Sequence, residues 1–94
     1  MSDIDSYREQ IDSLDEEIIR ALGQRFDVVR KVGKFKANTG IAVMQPERIE
    51  QIKNRCTVLG NRYGVRPGFL HEMYDLIIRE SCHLEEPSPS SDQA

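Results

Sequence analysis

The chain contains no tryptophan and only two cysteines among its 94 residues, and its aromatics are limited to three Tyr and three Phe. A bulky aromatic core is therefore excluded. Cys56 and Cys82 are too few for a disulfide framework and stand in neither a CxxC nor a Cys/His ligand spacing, so they read as two small apolar side chains in a reducing compartment. No stretch approaches the roughly 20 apolar residues of a membrane span, and no charged-then-apolar leader opens the sequence. A cytoplasmic protein without membrane contact is expected. Gly-rich phosphate loops, nucleophile elbows and metal motifs are absent, so neither a metal nor a cofactor is expected. His71 and His83 lack acidic or Cys partners at ligand spacing and read as surface residues. A net charge of -3 argues against a nucleic-acid partner.

What is present is a soluble globular composition, 38% hydrophobic and 31% charged. Ninety-four residues amount to one small domain that buries roughly two-thirds of its unfolded surface, too little for a two-domain enzyme. Ile4, Tyr7, Ile11, Leu14, Ile18, Ala21, Val28, Val32 and Phe35 recur at alternating three- and four-residue steps, which is helical spacing unbroken by Pro. Only Arg25 interrupts this seam. Asp3, Asp5 and Ser6 offer N-caps, Glu9 completes a capping box with Ser6, and Lys31, Lys34 and Lys36 load the far end as the helix dipole favours. The helix is predicted from about Asp5 to about Ala37, ~50 Å at 1.5 Å per residue, and Asn38-Thr39-Gly40 stops it.

A second helix is predicted to open at Pro46, with Ile49, Ile52, Cys56, Leu59 and Tyr63 on its seam and Gly64 as its left-handed cap. Pro67 opens a third, whose buried face carries Leu70, Met73, Ile77 and Leu84 together with Ser81. From Pro87 the stretch PSPSSDQA has no large apolar residue. The expected organisation is one helical domain over 1–86 and a disordered tail over 87–94. A compact chain of this size has a radius of gyration near ~12 Å. A ~50 Å helix overhangs such a body, and its apolar seam continues along the overhang. The fold expected is all-α, a three-helix chain intertwined as a two-fold homodimer.

Charged residues at interior positions point to chemistry, because an unpaired buried charge costs several kcal/mol. Arg25 and Lys36 lie eleven residues apart, nearly in register, ~16 Å along the backbone. Long side chains at that separation can close on a ligand of sugar-ring size. Arg48 stands near the positive end of the second helix, where anions are favoured, and Ser81 and Glu85 form a polar strip one turn apart on the third. Two blander readings remain open: a solvated basic face over Arg30 to Lys36, and a register-setting or ion-paired Arg25. Asp12, Asp15, Glu16 and Glu17 read as a solvated acidic face pairing with neighbouring bases, Asp15 also being placed to order a nearby Arg. Spacing alone supports a helical bundle enclosing a cationic pocket for a small carboxylate or phosphate.

The segments YREQIDSLDEEIIRALGQR, VGKFK, QPER and LIIRES resemble the all-helical (type II) chorismate mutases, over about Ile4 to Glu85. That resemblance implies an intertwined homodimer with shared active sites and a cofactor-free Claisen [3,3] rearrangement of a small dicarboxylate. Carried across, it places Arg8 of the partner subunit and Arg25 on the substrate carboxylates, and Lys36 on a carboxylate and the ether oxygen. Arg48 and Ser81 would attend the ring-side carboxylate. Arg8 cannot serve its own chain's site, since seventeen residues, ~25 Å of helix, separate it from Arg25.

Three positions depart from the commonest bacterial pattern. Gln45 and Ile49 replace Asp and Glu, the Glu being the usual acceptor for the substrate's C4 hydroxyl. Glu85 replaces a Gln that donates to the ether oxygen, as it does in eukaryotic members, and because a carboxylate cannot donate, Glu85 is expected to be protonated in the occupied site. MQPER with a late Glu is most similar to the branch acting on 4-amino-4-deoxychorismate, which stands ahead of chorismate as the implied substrate. Two alternatives are an isochorismate pyruvate-lyase of the same fold, whose members also lack the second-helix Glu, and a non-catalytic helical dimerisation or regulatory module.

Overall fold

The computed structural model describes residues 2–86 and contains three helices, α1 (Asp3–Thr39), α2 (Pro46–Tyr63) and α3 (Pro67–Glu85). The expected tail, 87–94, lies outside the described residues. Helix α1 runs 37 residues, about one turn more than expected, and its cap differs from the expected one. Ser2, with extended backbone, accepts the Asp5 N–H through its hydroxyl at 3.3 Å. Ser6 and Glu9 are thereby inside the helix, where they cannot form a capping box. At the other end Gly40 takes a left-handed conformation, φ 74°, and its N–H bonds back to the Lys36 carbonyl. Gly64 closes α2 in the same way at φ 71°, and Pro46 and Pro67 each stand in the first turn of their helix.

Helix α3 is the centre of the fold: it packs on both α1 and α2, while the backbones of α1 and α2 stay apart. The core is correspondingly small, consisting of Cys56, Ile77 and Ile78 with the polar Ser81 buried among them. Gly33 sets the α1–α3 distance. A Cβ at position 33 would lie 2.7 Å from the Glu85 Cα and 3.0 Å from its carbonyl oxygen, so only hydrogen at that position lets the C-terminal end of α3 seat against α1.

Two seam assignments shift. Leu22, Phe26, Val29 and Gly33 are the buried or half-buried apolar positions of α1, and α1 meets α3 at Arg25 with Ser81, at Gly33 with Glu85 and at Lys36 with Glu85. Val28, Val32 and Phe35, expected on the buried seam, are 56%, 38% and 60% exposed. An α-helix has room for more than one apolar face, and α3 takes the one offset from the long seam. Tyr63 is also exposed, because α2 ends there and the chain turns away at Gly64. Along the first half of α1, Ile4, Tyr7, Ile11, Leu14 and Ile18 remain more than half exposed. The radius of gyration, 17.0 Å, and the longest extent, 55 Å, record the overhang against the ~12 Å of a compact chain. No helix among the described residues is long and apolar enough to cross a membrane.

Candidate active site

Because α3 holds α1 and α2 apart, a cavity of about 560 Å³ opens between them, within the size range of metabolite pockets. Its walls are largely aliphatic, with Val29 and Val32 from α1, Ile49 and Ile52 from α2 and Ile78 from α3. Polar groups enter at few points. Arg25 and Lys36 come from α1, Gln45 and Arg48 from the start of α2, and Ser81 and Glu85 from α3. Every expected site residue except Arg8 thus lines this cavity.

Arg8 lies on the overhang, its side chain 70% exposed beside Asp5 at 3.9 Å, remote from its own chain's cavity as the helix arithmetic requires. The acidic face of α1 behaves as a solvated surface: Glu16 pairs with Arg20 at 3.4 Å, and Asp15 orders no Arg among the described residues.

The two α1 cations are held differently. Lys36 donates to the Val43 carbonyl at 2.8 Å and stands 2.5 Å from Glu85 Oε1. The Glu85 side chain is only 9% exposed, and the Lys36 ammonium is the partner of its Oε1. Arg25 donates from Nη1 to the Ser81 hydroxyl at 2.6 Å, and that hydroxyl donates in turn to the Ile77 carbonyl at 2.7 Å. The ion-paired alternative for Arg25 is not what the structure shows: among the described residues it has no carboxylate partner.

Arg48 is exposed in the first turn of α2, where Gln45 caps through its backbone and makes no side-chain cap bond. Helix dipole and guanidinium both favour an anion there. The Gln45 amide donates to the Ala42 carbonyl at 3.4 Å. Cys82 also lines the cavity; burial pushes its thiol up, and the Glu85 carboxylate adds to the shift against the opposing Lys36 charge. A raised thiol is a weak nucleophile at neutral pH. His71, expected at the surface, is half-buried and shares a 3.0 Å hydrogen bond with Thr57.

Sequence reasoning missed Tyr74, Val43 and Cys82 as parts of the site's surroundings. Tyr74 had a faint signal, lying seven residues before Ser81 and so on the same face of α3. The Val43 carbonyl had none, since a backbone oxygen carries no mark in the sequence.

The cavity offers three cations against one carboxylate, with aliphatic walls and no activated nucleophile. No group of three or more His, Cys, Asp or Glu side chains that could hold a metal occurs among the described residues. Such an arrangement has the charge and shape to hold a small polyanion and to stabilise negative charge developing on it. Comparison with known proteins identifies the family. The family model for chorismate mutase type II matches residues 7–86. A 4-amino-4-deoxychorismate mutase of Streptomyces pristinaespiralis is 32% identical over 83 residues, 88% of this chain and 64% of that protein. One from Streptomyces venezuelae is 28% identical over 85 residues, covering 90% of this chain and 82% of its own length. An isochorismate pyruvate lyase of Pseudomonas aeruginosa is 32% identical over 71 residues, 76% of this chain and 69% of that protein. The chain thus spans somewhat less than two-thirds of the first of these relatives. With the match running through all three helices and every cavity-lining cation, this chain belongs to the chorismate mutase type II family.

Proposed function

We propose that the chain is an isomerase catalysing the cofactor-free [3,3] rearrangement of 4-amino-4-deoxychorismate, ahead of chorismate, to the corresponding prephenate. The observation that carries this reading is the convergence of Arg25, Lys36 and Arg48 on one aliphatic-walled cavity where, among the described residues, the only carboxylate is Glu85, paired with Lys36 in this structure. Two positive charges remain, enough for a substrate with two carboxylates. In the reaction the ether C–O bond breaks as a C–C bond forms within the same molecule. No proton, electron or second substrate is exchanged.

Catalysis therefore consists of holding the reactive conformer and stabilising charge on the ether oxygen. Arg25 and Arg48 grip the carboxylates, the aliphatic walls compact the ring and side chain, and Lys36 turns an N–H toward the ether oxygen. When a substrate carboxylate takes over as the partner of Lys36, Glu85 is released from its ion pair, and with a proton on it supplies a second donor there. The preference for the amino substrate is supported by Ile49, which offers no acceptor to a C4 hydroxyl, by Gln45 beside it, and by the two Streptomyces relatives. The catalytic unit is a homodimer in the cytoplasm, in which Arg8 of the partner subunit closes each site. The exposed apolar seam of α1 supports that assembly.

Incubating the purified protein with 4-amino-4-deoxychorismate, chorismate and isochorismate, and separating the products by chromatography, tests the reading directly. The amino substrate should be turned over fastest. Pyruvate from isochorismate would establish the lyase, which Ile49 and the Pseudomonas relative favour as second reading, and turnover of none would leave a non-catalytic module. Lys36→Ala should lower kcat about 100-fold or more, as for loss of one oxyanion donor. Glu85→Gln, which always donates, should retain more activity than Glu85→Ala; equal losses would remove donation by Glu85.

A further inference from the structure

The two buried-side cations differ in a way that bears on how the site works. Lys36 has a counter-charge in Glu85, whereas Arg25 is oriented by groups without charge. Its Nη1 is bonded to Ser81, 5% exposed, whose own proton is committed to the Ile77 carbonyl. Its Cζ stands 5.9 Å from the centroid of the half-buried Tyr74 ring. An arginine held by a carboxylate has part of its charge and donors neutralised by that ion pair before it meets an anion. One held by a hydroxyl oxygen and an aromatic face keeps its full charge and its remaining N–H donors for the ligand.

We infer that Tyr74 and Ser81 together form a neutral seat for the Arg25 guanidinium, and that both are positioning residues acting on the substrate through Arg25. The inference rests on the proposed reaction for what Arg25 binds, but the seat is a property of this chain's packing. Tyr74 does not line the cavity; it lies behind Arg25, two turns before Ser81 on α3. In this arrangement the Ser81 hydroxyl gives its proton to Ile77 and a lone pair to Arg25, so its contact with the guanidinium orients Arg25. The sequence context agrees, since a short hydroxyl and a ring two turns apart on one helix face can flank a single planar cation.

Two measurements separate the seat from the reaction. In protein labelled with 15N-arginine, the Arg25 side-chain resonances should carry a ring-current shift and slowed rotation of the guanidinium. Tyr74→Leu, which keeps volume but removes the aromatic face, should abolish the shift, and Tyr74→Phe should restore it. That readout needs no turnover, so an inactive wild-type protein would defeat the proposed reaction and leave the seat standing.

The second measurement reads the seat in use. Arg25→Ala activity should recover with added guanidinium chloride at concentrations that leave the helices folded by circular dichroism. Adding Tyr74→Leu should raise the half-rescue concentration roughly 3- to 30-fold, the span of exposed to desolvated cation–π contacts, and Phe at that position should recover most of the difference. Ser81→Ala should raise KM in the wild-type background and change little in Arg25→Ala. The inference is overturned by an Arg25 spectrum indifferent to Tyr74→Leu or, in a protein whose wild type is active, by a half-rescue concentration that Leu leaves unmoved, by absence of any rescue, or by a Ser81→Ala loss that persists undiminished without Arg25.

Discussion

Gly33 illustrates how much a single hydrogen atom decides here. Replacing a helical glycine by alanine ordinarily stabilises by about 0.5–1 kcal/mol. At Gly33 the new Cβ would meet backbone atoms of Glu85 at 2.7 and 3.0 Å, and backbone cannot step aside as a flexible side chain can. Overpacking costs about 1–3 kcal/mol and wins. Gly33→Ala should lower the denaturation midpoint and, by moving Glu85 away from Lys36, lower turnover as well. Gly23 has nothing within 4 Å of its would-be Cβ, so Gly23→Ala should raise the midpoint. Urea titrations of both variants decide the matter, and a stabilised Gly33→Ala would contradict the close approach. Gly33 was visible in the VGKFK segment, but nothing in the sequence told its role from that of Gly23, because the neighbour that makes it necessary lies 52 residues further on, at Glu85.

Between elements, α2 and α3 are joined on their outer side by two polar bridges about one turn apart, Lys53 to Asp75 at 2.5 Å and Thr57 to His71 at 3.0 Å. The hydrogen bond from Lys53 holds the Asp75 carboxyl below its ordinary value of 3.8. A carboxyl depressed in the folded state stabilises that state fully above its unfolded value, and the contribution is lost as pH falls through the folded value. Asp75→Asn should therefore lower Tm modestly at pH 7, the pair being partly exposed and screened. The gap to wild type should close as pH falls below the ordinary carboxyl value of 3.8 and through the depressed one. A Tm difference that persists unchanged at pH 2 would rule out the ion pair as its source. Helix spacing foretold which apolar residues face α3 on α2, apart from Tyr63. It could not register Lys53 against Asp75, since the relative rotation and height of two helices come from how their ridges interlock.

At the scale of the whole molecule, a 37-residue helix with an exposed apolar seam over its first half is poorly suited to life as a monomer. If two copies pair so that Arg8 serves the opposite cavity, sites are built from both chains and defects can be complemented. Arg8→Ala and Lys36→Ala should each be nearly inactive alone. After the two are unfolded together and refolded, the mixed dimers contain one intact site, and activity should return to about a quarter of wild type for random pairing of two-fold dimers. Recovery of no activity from the refolded mixture, with mixed dimers verified by mass spectrometry, would confine each site to one chain. The sequence by itself determined the three helices, their glycine and proline boundaries and the cations that line the cavity, because these follow from local periodicity, backbone stereochemistry and charge at interior positions. Only the tertiary structure decided which face of α1 packs on α3, that Lys36 is tethered to Val43 and Glu85, and that Arg25 rests on Ser81 and Tyr74. Those are contacts between residues far apart in the chain, and their geometry is set by side-chain interdigitation, which no local pattern encodes.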